Sequence, residues 1–373
     1  MNKKVLIVAN DFSTIYNFRL ELLRALTENG YEVVIALPED ERNSAFIKEG
    51  CEVIKLNLSR FGTNPLKDYR TMRQIKRIIK EIKPLVLLTY TAKANIYGGI
   101  AAMKTRTPYI CNVTGLGANF QNGGIIKSIM MLLQRHAYKK ANAVFFQNQS
   151  NLDFFVKKKI VKKNYGLLPG SGVNLSDNPL AEYPENEAIT FITVARIRQD
   201  KGYDELFTVI KRLYDEGVNA KFVIVGWYED EKYKDTVKTL QEDCGVIFYE
   251  NMPHEKVHGL ISGCDCLIHP SHHEGMSNVV LEAAAAGRPC IVSDIFGCKE
   301  CVDDNVTGLY FNVGDAADLY EKVKAMADTP VKERENMGKL ARKKIEEQFD
   351  RQIVINMYLE KIKQIEDEKN GTL

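Results

Sequence analysis

A chain of 373 residues is longer than one hydrophobic core usually organises, so two domains are expected. With 45% hydrophobic and 27% charged residues, its composition excludes disordered and fibrous classes. The net charge of +2 hides a division: residues 1–170 carry 27 Lys and Arg against 12 Asp and Glu, whereas the rest carries 24 against 37. The two halves are therefore expected to face different partners.

The start of the chain leads directly into the apolar stretch Val5 to Ala9, which is too short for the core of a signal peptide. No apolar run reaches the length that spans a bilayer. The eight cysteines are spread through a long chain, mostly in or beside apolar runs, which indicates reduced packing thiols. A cytoplasmic location is expected.

Short apolar runs alternate with amphipathic segments along both halves, the pattern of βαβ units with parallel sheets. Each half is therefore predicted to be a doubly wound α/β domain. In the first half, helices such as Phe18 to Asn29 and Asp68 to Glu81 separate the strands. The predicted strands are Val5 to Ala9, Glu32 to Ala36, Val53 to Leu56, Leu85 to Leu88, Tyr109 to Val113, Ala143 to Phe146 and Gly166 to Leu168.

A stretch from Pro169 to Pro184, rich in Gly, Pro and Asn, lacks helical periodicity and predicts a linker between domains 1–170 and 171–373. The strand pattern then restarts at Ile189 to Val194, Ala220 to Val225, Val246 to Tyr249, Cys266 to His269, Pro289 to Val292 and Leu309 to Phe311. Helices are expected at Tyr203 to Asp215, Tyr233 to Asp243, His254 to Ser262, Ser277 to Ala286, Ala316 to Ala327, Glu333 to Gln348 and Arg351 to Glu366. The last helix is expected to pack back on the first domain.

Ligands of open α/β sheets bind beyond the carboxyl ends of the strands. Two such domains are expected to face each other across a cleft that holds a shared site.

Two cations follow the first strand of the second half. Arg196 and Lys201 come directly after Ile189 to Val194, and Gly202 permits a tight approach before the next helix. Arginine offers a planar fork and lysine a compact charge, so the pair suits a diphosphate and can stabilise a leaving nucleoside diphosphate. The alternative is a solvated loop whose cations pair with nearby acids.

Two glutamates follow the strand Cys266 to His269. Glu274 falls in the loop and Glu282 lies two turns into the next helix, with seven residues between them. This separation aims the two carboxylates at different hydroxyl groups of one extended ligand. The helix amino terminus near Met276 to Val279 can receive phosphate.

In this order and spacing, the two motifs resemble those of the retaining GT-B glycosyltransferases of family 4, and the resemblance covers nearly the whole chain. It implies that Arg196 and Lys201 hold the diphosphate of a nucleotide-sugar donor, that Glu274 contacts its sugar and that Glu282 binds its ribose. Arg196, Lys201 and Glu274 are then the predicted catalytic residues, without a protein nucleophile, because the donor phosphate receives the acceptor's proton. The remaining donor contacts implied are Gly275, the amides of Met276, Ser277 and Asn278, and the turn from Tyr249 to Met252 that includes Asn251.

Two short segments resemble a subgroup that glycosylates polyprenyl-diphosphate-linked sugars. They are Ile15 to Arg19 and Thr114 to Gly117, which makes Asn17, Arg19, Thr114 and Gly115 the expected acceptor-side residues. The sequence departs from the family at residues 10–13, where many relatives carry glycines. It departs again at Thr114, where several carry a histidine or an acid, so the route of acceptor deprotonation stays open.

Three further features have more than one interpretation. His269, His272 and His273 cluster near Cys264 and Cys266, but the spacing is not that of a usual metal site, and the sequence lacks an Asp-X-Asp triplet, so metal-independent transfer is predicted. Residues 101–165 carry 11 Lys or Arg against one acid and include the apolar helix Ile125 to Leu133. This helix either docks on an anionic membrane, at the inner face of the plasma membrane, or lies in the core. No motif indicates nucleic-acid binding.

The sequence therefore predicts an enzyme that moves a hexose or N-acetylhexosamine, with retention, from a UDP-sugar to a lipid-linked saccharide in surface polysaccharide or capsule assembly. Two alternatives remain open. One is a nucleotide-sugar 2-epimerase on the same kind of fold, and the other is a catalytically silent nucleotide-sugar-binding partner subunit.

Overall fold

A computed structural model describes residues 3–59, 64–115 and 124–371. The chain forms two compact units. The first comprises Met1–Ser171 together with Gln352–Leu373, and the second comprises Gly172–Arg351. Residues 352–373, the end of the segment predicted as the second domain, thus belong to the first unit.

The first unit contains a parallel sheet with strand order β3-β2-β1-β4-β5-β6-β7. Register aligns Val8 of β1 with Ala36 of β2 and with Thr89 of β4, so the carboxyl ends of the central strands meet at one edge. The strand order reverses between β1 and β4, the position at which such sheets bind ligands. The strands are β1 Lys4–Val8, β2 Glu32–Leu37, β3 Glu52–Lys55, β4 Val86–Tyr90, β5 Tyr109–Val113, β6 Ala143–Phe146 and β7 Tyr165–Leu167.

Helices cover the sheet of the first unit. The first begins at Phe12, six residues before the predicted start, because Asp11 caps it by accepting a hydrogen bond from the Thr14 amide at 2.8 Å. Helix Ala92–Thr105 was not predicted: its residues are buried around most of its circumference, which removes the 3.6-residue periodicity. The helices are α1 Phe12–Glu28, α2 Ser44–Lys48, α3 Pro65–Ile82, α4 Ala92–Thr105, α5 Gly124–Tyr138 and α6 Gln149–Lys157.

The last helix of the chain, α13 (Arg351–Asn370), supplies side chains to the core of the first unit. Tyr358 is fully buried, receives a hydrogen bond from the Asn112 side chain at 2.8 Å and lies edge-on to Phe145. Burying one such aromatic side chain contributes roughly 2–3 kcal/mol, so this helix is an integral part of the unit.

The second unit contains a parallel sheet with strand order β10-β9-β8-β11-β12-β13. Strand β8 (Ile189–Val194) is central, between β9 (Ala220–Gly226) and β11 (Cys266–His269). The loops that follow β8 and β11 are therefore neighbours at the carboxyl edge. The other strands are β10 Ile247–Glu250, β12 Cys290–Ser293 and β13 Gly308–Phe311, and the helices are α7 Tyr203–Asp215, α8 Lys234–Cys244, α9 His254–Gly263, α10 Asn278–Ala285, α11 Ala316–Asp328 and α12 Val331–Gln348.

The predicted fold class, two parallel-sheet α/β domains, is confirmed, and every predicted strand lies within two residues of an observed one. Across the described parts of the chain, no helix is both long enough and apolar enough to cross a membrane.

Candidate active site

The loop after β8 packs against the loop after β11 and is hydrogen-bonded to it. Gly202 has a φ of 73°, and a Cβ atom placed on it would lie 2.0 Å from the carbonyl oxygen of Pro270. The His272 amide also donates to the Asp200 carbonyl at 2.9 Å. Only glycine permits both the left-handed backbone and this approach, so the sequence at Gly202 fixes the distance between the two predicted motifs.

Lys201 and Glu274 form an ion pair across these two loops. The Lys201 Nζ donates to Oε1 of Glu274 at 2.5 Å and lies 3.3 Å from the Ser271 hydroxyl. The two side chains are only 13% and 16% exposed. Burial alone would raise the pKa of Glu274, but hydrogen bonds and positive charge from His269 and Lys201 outweigh it and lower the pKa to about 2. Glu274 is therefore an ionised acceptor.

Arg196 lies at the more exposed end of the same loop. Its guanidinium donates to Glu229 at 2.7 Å, and Arg198 also pairs with Glu229 and with Asp200. About a third of the Arg196 side chain is exposed, so the pair is weak and exchangeable. Arg196 and Arg198 thus share the Glu229 carboxylate.

The amino terminus of α10 follows Glu274 directly. Ser277 is its N-cap residue and makes no side-chain capping bond, and the first turn contains no acid. The Ser277 amide donates to the Gly297 carbonyl at 2.7 Å, so it is not free for a phosphate as predicted. The Met276 and Asn278 amides keep that predicted role, beside Gly275 in the preceding loop.

Glu282 and Asn251 lie on different elements of the second unit, Glu282 on α10 and Asn251 after β10. Glu282 is half-buried in the second turn of α10, four residues after Asn278 and thus on the same helix face. Asn251 follows β10 with a φ of 55°, and its amide donates to the Gly226 carbonyl at 3.1 Å. The turn predicted to meet a nucleobase is thus tied to the end of β9.

Two of the three clustered histidines contact carboxylates. His269 contacts Glu274 at 2.9 Å, and His272 contacts Glu205 at 2.9 Å. Within the described residues no group of three or more His, Cys, Asp or Glu side chains is arranged to hold a metal ion.

The predicted acceptor-side residues of the first unit separate into exposed and buried positions. Asn17 faces solvent on α1, whereas Arg19 is 2% exposed and its guanidinium lies 4.9 Å from the ring centroid of Tyr90. Arg19 donates to the Phe18 carbonyl at 2.6 Å, and its Nε finds no partner among the described residues. The structure therefore does not bring Asn17 and Arg19 to one surface.

Thr114 and Gly115 follow β5 and are both partly exposed. The other two residues of that predicted segment, Leu116 and Gly117, lie outside the described residues. Thr91, at the neighbouring end of β4, has a φ of 77° and a ψ of 157°, a conformation that is rare outside glycine. Backbone strain of this kind is often found at functional sites.

Two family models match most of the chain. Residues 180–344 match the family model described as glycosyl transferases group 1, and residues 4–148 match the model described as glycosyl transferase 4-like. The chain belongs to the glycosyltransferases. The loops that hold Lys201 and Glu274 both fall within the group 1 match.

Similar proteins span nearly the whole glycosyltransferase chain. An N,N'-diacetylbacillosaminyl-diphospho-undecaprenol alpha-1,3-N-acetylgalactosaminyltransferase of Campylobacter jejuni is 26% identical over 93% of this chain and 95% of its own. The capsular polysaccharide biosynthesis glycosyltransferase CapM of Staphylococcus aureus is 26% identical over 78% of this chain and 81% of its own. Anabaena HepE, solved with UDP and glucose, has a TM-score of 0.77 at 16% identity over all of both chains. The fold is thus GT-B.

Three residues at or beside the site were not predicted in these positions from the sequence. Glu229 lies 33 residues from the arginine it pairs with, and His269 was considered only as a metal ligand. Trp227, the sole tryptophan, is 48% exposed directly after β9, between the strands that lead to Arg196 and to Asn251. The sequence shows a tryptophan directly after a predicted strand, but only the structure shows that it is exposed.

Proposed function

We propose that this glycosyltransferase moves a hexose or N-acetylhexosamine from a UDP-sugar to a polyprenyl-diphosphate-linked saccharide, with retention of configuration, in the assembly of a surface polysaccharide. The observation that carries the proposal is the buried Lys201–Glu274 pair, set between the exposed Arg196 and the amino terminus of α10. Cations and helix amides at one sheet edge are what a diphosphate requires.

The donor is expected to bind by ion exchange. Its diphosphate takes Arg196 from Glu229, an exposed pair that costs about 1 kcal/mol or less to break. Lys201 keeps Glu274 at its side and faces the phosphate that leaves with the nucleotide. Negative charge on that phosphate grows in the transition state, where a fixed cation stabilises it more than in the bound donor.

The state of Glu274 supports transfer without a protein nucleophile. A carboxylate with a pKa of about 2 that already accepts from two donors is a poor base and a poor nucleophile. The donor's own phosphate is then the group that receives the acceptor's proton, on the face from which the leaving group departs. Arg196, Lys201 and Glu274 fill the catalytic roles, and the chemistry needs no metal ion.

The acceptor is assigned to the first unit, at Thr114 and Gly115 beside the strained Thr91. Asn17 is an exposed contact for the lipid-linked saccharide, and Arg19 supports the edge from within by its stacking on Tyr90. The lipid-diphosphate class of acceptor is taken from the printed name of the Campylobacter relative.

Helix α5 supplies an exposed apolar surface for binding to the membrane that holds the lipid-linked acceptor. Met130, Met131 and Leu133 pack toward the core, while Ile126, Ile129 and Leu132 are 48%, 50% and 62% exposed. Arg135 of this helix donates to the Lys158 carbonyl at 2.8 Å, which joins it to the exposed cations Lys157–Lys159. Exposed aliphatic side chains beside a basic segment favour an anionic membrane.

The decisive experiment is an incubation with UDP-glucose or UDP-N-acetylgalactosamine, with and without an undecaprenyl-diphosphate-linked saccharide. We expect UDP release and an extended lipid-linked product only when the acceptor is present, with an α linkage by proton NMR. An epimerised sugar formed without acceptor would establish the epimerase instead. UDP binding without turnover on any acceptor would establish a silent partner subunit.

Membrane docking is tested separately by co-sedimentation with vesicles that contain anionic lipid. Ile129→Asp should abolish binding, and Ile247→Asp, at an equally exposed isoleucine of the second unit (43%), should leave it unchanged. Equal binding to neutral vesicles, or no effect of Ile129→Asp, would remove this part of the proposal.

A further inference from the structure

His269 is a buried histidine at the end of β11 that hydrogen-bonds to two residues of the site. It is 3% exposed. Its Nε2 lies 2.9 Å from Oε1 of Glu274 and 3.1 Å from the Ser277 hydroxyl. Its Nδ1 is buried and has no hydrogen-bond partner among the described residues. The ring is therefore directed at the carboxylate by one nitrogen.

The ionised state of Glu274 requires a proton on Nε2 of the imidazole. Because Glu274 is ionised, its oxygens can only accept hydrogen bonds. Nε2 must then carry the proton that occupies the 2.9 Å contact, since an unprotonated nitrogen facing a carboxylate oxygen would be repelled. The Ser277 hydroxyl, on the same side of the ring, is left free to turn its own proton elsewhere.

Two donors converge on one oxygen of this carboxylate. Lys201 and His269 both bind Oε1, at 2.5 and 2.9 Å. Behind the loop, a Cβ on Gly297 would lie 3.0 Å from the Cβ of Glu274, so the chain at Gly297 packs closely against the base of this side chain. With Oε1 saturated and the side chain 16% exposed, Oε2 is the oxygen left for a ligand hydroxyl.

We infer that His269 is a positioning residue, which holds the Glu274 carboxylate so that Oε2 meets a hydroxyl of the donor's sugar. This inference deepens the proposed function and rests on its assignment of the donor site. It is specific to the sugar half of the donor. Lys201 serves both the carboxylate and the diphosphate, whereas the side-chain hydrogen bonds of His269 found among the described residues go to Glu274 and Ser277.

The hydrogen bond to Glu274 requires an N–H group at the position of Nε2 of His269. In His269→Gln the amide nitrogen reaches about as far as Nε2, whereas in His269→Asn it reaches only about as far as Nδ1. Both variants place a neutral amide in the same buried position. Comparing them separates the hydrogen bond to Glu274 from a general effect of polarity or packing.

The test measures kcat, KM for the UDP-sugar and the dissociation constant of UDP for the wild type and both variants. His269→Asn should lower kcat about tenfold to a hundredfold, the range that a hydrogen bond to a charged group is worth. Its UDP affinity should stay within about threefold of the wild type, and His269→Gln should recover most of the lost turnover. Full turnover in the Asn variant, equal defects in both variants, or a parallel loss of UDP affinity would overturn the inference.

A binding measurement keeps this test separate from the proposed function. The ratio of UDP affinity to UDP-sugar affinity reports on the sugar contact without turnover. If the wild type transfers no sugar, the proposed function fails, yet a ratio that changes in His269→Asn and returns in His269→Gln still supports the positioning role. If the wild type transfers sugar and the ratio is unaffected in both variants, only the role of His269 is lost. Thermal melting confirms that each variant is folded.

Discussion

Removal of the Lys201 ammonium is the sharpest perturbation of the site. In Lys201→Ala, and in the volume-matched Lys201→Met, the leaving diphosphate loses one fixed cation. Loss of a single preorganised group of this kind costs about 2.7–4 kcal/mol of transition-state stabilisation, so kcat should fall about a hundredfold to a thousandfold. The ground state is less affected, because the Lys201 charge is already balanced by Glu274 when no donor is bound. The affinity for UDP should therefore fall by about tenfold at most.

The same variants should remain folded. Breaking a fully buried ion pair costs about 3–5 kcal/mol, but Glu274 keeps the His269 hydrogen bond and is 16% exposed. A loss of about 1–3 kcal/mol in the free energy of unfolding is expected, which a domain of ordinary stability tolerates. Activity and stability are therefore separable in this experiment.

The assay is the initial rate of UDP release at saturating donor and lipid-linked acceptor, with urea unfolding of each variant alongside. Lys211→Ala is the matched control: this lysine lies on α7, is 64% exposed and pairs with Asp215 at 3.6 Å. It should change turnover less than twofold. Folded Lys201 variants that retain kcat within threefold of the wild type would refute the assignment of Lys201 to the leaving group.

Four further predictions concern stability, ligand contact and metal dependence. Because the pKa of Glu274 is lowered from 4.5 to about 2, its ionisation stabilises the fold by about 3 kcal/mol above pH 4.5, and this is lost as the pH falls toward 2. Urea titrations from pH 5 to 2 should show this slope, and Glu274→Gln should lack it. Gly202→Ala should destabilise the protein by about 2–4 kcal/mol, since its Cβ would meet the Pro270 carbonyl at 2.0 Å. The control Gly245→Ala, at a glycine with a φ of 67° and open space around it, should cost about 1 kcal/mol. Equal melting temperatures of the two variants would contradict the contact between Gly202 and Pro270. Saturation with UDP should alter the fluorescence of Trp227, whereas calorimetric binding with unchanged emission would place the nucleotide elsewhere. Turnover should be unchanged by EDTA, and a loss that Mg²⁺ or Mn²⁺ restores would show that the reaction uses a metal ion.

Local signals in the sequence were sufficient for the strands and for both motifs. A β-branched run marked β8, and an apolar run that ends before Pro270 marked β11. The motifs Arg196 to Gly202 and Pro270 to Glu274 follow these strands. In a parallel sheet the carboxyl ends of all strands share one edge, so the βαβ pattern placed both loops at that edge. That the two loops are neighbours depends on the strand order, in which β8 lies beside β11. Helix α4 escaped because its periodicity is lost when it is buried on several sides.

Tertiary structure decided what each side chain at that edge touches. Lys201 and Glu274 are 73 residues apart, and their ion pair depends on Gly202 lying against Pro270. The Ser277 amide is occupied because it donates a hydrogen bond to the Gly297 carbonyl. Arg19 is buried, although Asn17 on the same helix faces solvent. Sequence determines the local periodicity and the turn residues, which act over a few positions. Hydrogen bonds and buried charges are short-range in space but not along the chain, so only the packed structure specifies them.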